Sequence, residues 1–257
     1  MKKVLITRPN HNVPTQYFYY WSKKIIETAK LMEMDVLDLK VEMANKKAFD
    51  KAIKSNPAFV IMAGRGHFKK AKMADNEILI EQEDCGKMKS KTICAFLSKS
   101  AEGLGEKSVA SGATAYIGHD DDFILCCAPQ KRSDPLLDEM AGFFLDPLRA
   151  LVEDVLRGKT ANISTEMAKK ALKENIKKAG NSKYDFIAPY LLWNMKHLKC
   201  IKKERIKLLL FILIFSMVFT NAISFCLDLR LGRKRVRHGL TIHGLEDAPS
   251  KDVSFFL

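Results

Sequence analysis

The chain has 257 residues, 47% of them hydrophobic and 28% charged, with a formal net charge of +13. That apolar content is ample for one sizeable core, and no internal repeat or low-complexity segment interrupts it. The excess charge is spread along the chain, +5 in residues 201–257 and +8 in residues 1–200. A nucleic-acid footprint would cluster its basic residues with aromatics on one element, so a nucleic-acid partner is disfavoured.

Six cysteines, at 85, 94, 126, 127, 200 and 226, lack metal-ligand spacing, and neither a metal nor a cofactor is expected. Cys94, Cys126 and Cys127 lie in apolar runs, where cysteine behaves as a small buried hydrophobe, and a reducing compartment fits this usage.

In chain order, residues 4–7 read as a first strand. Their four apolar residues before Arg8-Pro9-Asn10 are too few for a signal-peptide core. A helix follows over about 15–32, with Phe18, Trp21, Ile25, Ala29 and Met32 at helical spacing. Strands are expected at 35–39, 58–62, 92–97, 114–118 and 123–127, with helices over 46–55 and 106–111. Residues 78–80 read as a short strand or an edge turn. This alternation predicts an α/β fold with a mostly parallel sheet of about five to six strands, covered on both faces. After Pro135 the pattern becomes helical, over 136–157 with Gly158 as its cap, over 160–178 ending at Gly180, and from 188 onward.

Residues 1–200 therefore read as one α/β domain. Residues 208–227, opening at Leu208 and closing at Leu227, carry no charge over a length that crosses a bilayer's hydrocarbon. The expectation is one transmembrane helix over 207–228 and a flexible basic tail over 229–257. Basic residues flank both sides, so the positive-inside rule does not choose an orientation. With no signal ahead of it, the N-terminal domain is expected on the cytoplasmic side of a single-pass membrane protein.

Two apolar runs break abruptly into small and polar residues. One is Phe59-Val60-Ile61-Met62-Ala63-Gly64-Arg65-Gly66-His67; the other begins Thr92-Ile93-Cys94-Ala95-Phe96-Leu97-Ser98-Lys99-Ser100 and continues to Ser108. Buried parallel strands look like this where they deliver side chains to the carboxyl edge of a sheet, which is where ligands bind in open α/β folds.

The strand closing on Gly64-Arg65-Gly66 resembles the one that supplies a Gly-His-Gly histidine in caspase-like cysteine peptidases of the gingipain and CHAT branch. The nucleophile segment of that family is similar to Leu97-Ser98-Lys99-Ser100, then Gly105-Glu106-Lys107-Ser108-Val109, then Gly112-Ala113-Thr114-Ala115-Tyr116-Ile117-Gly118. The resemblance covers roughly residues 1–200 and implies a three-layer caspase-like sandwich that binds a peptide or protein ligand. It places Arg65 at the family's histidine position and Ser98 at its cysteine position. Arginine stays protonated up to a pKa above about 12 and cannot relay a proton as imidazole does. A serine hydroxyl is far less acidic than a thiol and needs a strong adjacent base. The pair therefore reads as inactive.

Three rescues are weighed against that reading. His67 could act as base to Ser98, although a solvent-facing loop histidine is the simpler account. Lys99 could form a Ser-Lys dyad with Ser98, although neighbours at a strand end diverge. Cys94 lies four residues before Ser98 and reads as core. His119-Asp120-Asp121-Asp122 reads as a solvated loop, and His197 as a helix-end histidine. The aromatic run from Tyr17 to Trp21 could wall a pocket at the same sheet edge. Three functions remain open. They are a membrane-tethered inactive domain with a binding or regulatory role, an active hydrolase using Ser98 with His67 or Lys99, and a Rossmann-like small-molecule binder.

Overall fold

Strand β1 (Lys3–Arg8) is buried from Val4 onward, and its side chains alternate between two cores, as a central strand requires. In the computed structural model of the chain, residues 1–72 and 77–203 are described. Helix α1 (Val13–Leu31) begins in a capping box. Its Asn12 side chain accepts from the Thr15 amide at 3.0 Å, and the Thr15 hydroxyl accepts from the Asn12 amide at 3.1 Å. There follow β2 (Asp35–Lys40), α2 (Lys46–Ile53) and β3 (Phe59–Ala63). Three short antiparallel strands come next, β4 (Arg65–His67), β5 (Lys70–Lys72) and β6 (Ile78–Glu81). The main sheet resumes with β7 (Thr92–Phe96), α3 (Glu106–Ala110) and β8 (Ala115–His119). Helices α4 (Glu139–Leu156), α5 (Ala161–Gly180) and α6 (Ala188–His197) lead to β9 (Leu198–Lys202).

The six-stranded sheet has the order β2-β1-β3-β7-β8-β9, parallel throughout except for β9. One face packs Ile6, Ile61, Cys94, Phe96 and Ile117 against residues of α1, α4, α5 and α6. The other packs Leu5, Val60, Met62, Ala95 and Tyr116 against residues of α2, α3 and the segment around Cys85 and Met88. Both faces of the sheet are thus covered, which is why its strands read as near-continuous apolar runs.

The strand expected over 123–127 does not form. Backbone groups there bond to side chains and make no ladder. The Phe123 amide donates to Ser98 Oγ at 3.1 Å, Ile124 is held on both sides by the buried Asn194, and the Ala128 amide donates to Asp138 at 2.7 Å. The sixth strand is instead β9, antiparallel to β8 and fed by α6. Residues 78–80 do form a strand, but in the separate three-stranded sheet.

The described chain forms one unit over Met1–Lys203. The expected membrane segment and tail lie outside the described residues. Among the described residues no helix is long and apolar enough to cross a membrane.

Candidate functional site

Strand order reverses between β1 and β3, because β2 lies on one side of β1 and β3 on the other. In open α/β sheets a crevice opens outside the carboxyl ends of the strands at such a point. A cavity of about 450 Å³ lies there. It is walled by Asn12, Thr15 and Phe18 after β1, by Gly64 and Gly66 after β3, and by Phe96, Ser98 and Phe123.

Two glycines bring the strand ends together. A methyl group built on Gly66 would overlap the carbonyl oxygen of Ser98 and lie 2.6 Å from its nitrogen. One on Gly103 would overlap the carbonyl oxygen of Phe68 and lie 2.7 Å from its carbonyl carbon. Strand β4 and the turn after it are thus clasped onto the segment leaving β7, and only glycine permits backbones to approach so closely. The chain positions of Arg65 and Ser98 therefore meet at one edge, as adjacent strand ends.

Two side chains at that edge, Ser98 and Lys99, are already engaged. Ser98 Oγ accepts the Phe123 amide at 3.1 Å. Lys99 turns away in the left-handed region, at φ 52°, and pairs with Asp122 at 2.6 Å and Asp121 at 3.7 Å. Its ammonium is held above its ordinary range by the hydrogen bond and charge of Asp122, so it offers Ser98 no free amine. His67 is exposed, and among the described residues no hydrogen bond joins His67 or Lys99 to Ser98. Cys94 is 3% exposed, and burial pushes its thiol up to about 12, which leaves it an inert core group.

The aromatic run divides its labour. Phe18 stacks on Phe96 with centroids 4.5 Å apart and faces Phe123 at 6.1 Å, so it does wall the cavity. Tyr17 points the other way, into the buried Asp138 carboxylate at 2.6 Å. Tyr19 lies under the Arg8 guanidinium, which also makes a bidentate pair with Asp38 at the ends of β1 and β2.

Beside the cavity is a polar cluster where a solvated loop was expected: His119 is instead buried at the end of β8, because the strand runs on into the core, and Asp120 is paired. His197 closes α6, stacks against Trp193 and meets Asp120 at 2.6 Å, while Lys199 holds the other Asp120 oxygen at 3.0 Å. Burial pushes the Asp120 carboxyl up, but Lys199 and His197 together leave it below its ordinary value. The pairing joins residues 77 positions apart, and no local spacing announces it.

The chain matches no model of a known protein family and has no significant match among curated proteins.

Proposed function

We propose that residues 1–203 are a caspase-like domain of the gingipain and CHAT type that has lost its catalytic pair and serves binding or regulation, tethered to a membrane through residues 208–227. The observation carrying this reading is the fit of Gly66 onto the backbone of Ser98, which sets the two family positions side by side on adjacent strand ends. Adjacent positions with the wrong chemistry describe a peptidase-like site without a peptidase. Serine here is a structural acceptor, lysine is sequestered, and arginine cannot exchange a proton. The cavity would then receive a side chain of a peptide or protein ligand. One observation favours a second reading, a small-molecule binder. A cavity of about 450 Å³ walled by three phenylalanines is of the size and character that such ligands use.

The test restores the pair. Wild-type protein is expected to cleave no peptide library and to resist serine-directed electrophiles. Ser98→Cys places a thiol where the Phe123 amide already donates, and Arg65→His adds an imidazole opposite. The double variant is expected to alkylate faster at about pH 6 than Ser98→Cys alone, because amide and imidazolium both favour the thiolate. Equal rates in both variants at every pH would overturn the juxtaposition. Peptide cleavage by wild type, abolished in Ser98→Ala, would establish the hydrolase instead.

A further inference from the structure

Strand β8 ends in a histidine that the site above does not use. His119 is 1% exposed, and neither ring nitrogen has a hydrogen-bond partner among the described residues. A buried polar group without a partner is costly, and a charged one far more so. The His119 ring packs against Phe123 at 5.1 Å, and Phe123 is a wall of the cavity.

The groups around the imidazole cannot take its proton. Asp120 follows it directly, but both Asp120 oxygens are engaged, by His197 from α6 and Lys199 from β9. Strand β7 sends Cys94 and Phe96 into the same core cluster, β9 brings Cys200 to its edge, and α1 contributes Phe18. Lys99, Asp121 and Asp122 pair with one another towards solvent.

The segment after His119 is the part of this edge best suited to move. It makes no strand ladder: two main-chain bonds hold its start, the Asp120 amide on the His197 carbonyl and the Lys99 amide on the Asp121 carbonyl, both at 3.0 Å. Beyond them side chains pin it, with the Phe123 amide on Ser98 Oγ and the Trp193 indole donating to the Asp122 carbonyl at 3.0 Å. Backbone held in this way opens more easily than a paired central strand.

We propose that His119 is a proton switch for the cavity wall: the neutral ring seats Phe123 and keeps the wall closed, and protonation releases residues 120–125. The sign follows from burial, which with His197 lowers the His119 pKa to about 4 against the opposing pull of Asp120. A lowered basic pKa stabilises the closed form above the ordinary value near 6.5, and that stabilisation is lost as pH falls from about 6.5 towards 4. Over the whole window protonation favours the open form by up to about 300-fold, and by about 30-fold at pH 5.

The experiment follows amide hydrogen exchange in the full-length protein from pH 7 to pH 5, corrected for intrinsic rates, in peptides covering 120–127. Wild type is expected to lose about 20-fold in protection there, while β7 and β8 keep theirs. In His119→Leu and His119→Gln the protection is expected to stay level across that range. In His197→Gln, which leaves His119 in place, the loss is expected to persist. Equal loss in wild type and the His119 variants would overturn the proposal, as would its disappearance in His197→Gln alone. Should neither His119 variant fold, the proton response is read in wild type from the His119 ring resonance. A midpoint well below 6.5 that coincides with the loss of protection supports the switch. A midpoint near 6.5, or one with no accompanying loss, refutes it.

Discussion

Replacing Gly66 by alanine tests whether the clasp builds the site. The added methyl would collide with the backbone nitrogen and carbonyl of Ser98, and no flexible side-chain end is there to yield. That backbone is itself tied to the sheet, because the Ser100 amide bonds to the carbonyl of His119, the last residue of β8, at 2.9 Å. Overpacking costs ~1–3 kcal/mol where neighbours can shift, and a rigid neighbour puts the expected cost at the top of that range. The cheapest relief is for β4 to lift away, taking β5 with it through their paired register. In thermal denaturation a loss of ~3 kcal/mol lowers Tm by roughly 6–12 °C for a unit of about 200 residues. Amides of residues 65–72 are expected to lose exchange protection in the same variant. Gly103→Ala, which strikes the Phe68 backbone at the other end, should behave alike. Gly86→Ala, with nothing within 4 Å of the new methyl, is the matched control. If Gly66→Ala and Gly86→Ala melt together, the hairpin is not held against Ser98 and the site geometry is wrong.

Ala95 is 1% exposed in a strand covered on both faces, so Ala95→Asp is expected to prevent folding by burying an unpaired charge, read as loss of the cooperative transition. The four-membered network of Lys46, Asp50, Asp84 and Lys87 predicts an acid limb. Burial raises the Asp50 and Asp84 carboxyls, but Lys87 and Lys46 leave both below their ordinary value. The stability they add is present above about pH 3.9 and is lost as pH falls below it, so Lys87→Met should flatten that limb by ~1 kcal/mol or less in denaturant titrations. Burial raises the thiols of Cys85, Cys94 and Cys126 alike, but only Cys126 of the three is half-buried and open to reagent. A thiol reagent at pH 8 should therefore label Cys126 before either. The run over 208–227 predicts that the full chain resists alkaline extraction from membranes; recovery in the soluble fraction without detergent would refute the anchor.

The parallel strands were legible in the sequence because each is an apolar run bounded by turn residues, and the structure places all five within a residue or so of the expected span. What misled was Phe123-Ile124-Leu125-Cys126-Cys127, equally apolar and equally short. Its apolar side chains do join the core, but its amides are met by Ser98, Asn194 and Asp138, residues from three distant parts of the chain. Apolar periodicity reports burial, and burial alone does not choose between a ladder and side-chain partners. The true sixth strand, Leu-Lys-Cys-Ile-Lys, hid because two of its five residues are lysines that interrupt the apolar run, as suits an edge strand beside solvent.

The candidate site was legible for a different reason. Gly64-Arg65-Gly66 and Leu97-Ser98-Lys99 stood out as sudden breaks in apolar runs, and both breaks fall at the same sheet edge. What the sequence could not show is that Ser98, Lys99 and Asp120 are already occupied. Ser98 holds an amide, Lys99 holds two carboxylates, and Asp120 holds a histidine and a lysine. Catalytic groups need a proton to exchange or a lone pair to offer, and satisfied groups have neither to spare. Among the described polar side chains of this edge, His119 alone is buried with no hydrogen-bond partner. On the proposed reading, cross-links that hold the cavity's shape stand where a nucleophile and base would, and the proposed sensitivity to protons lies one strand further along.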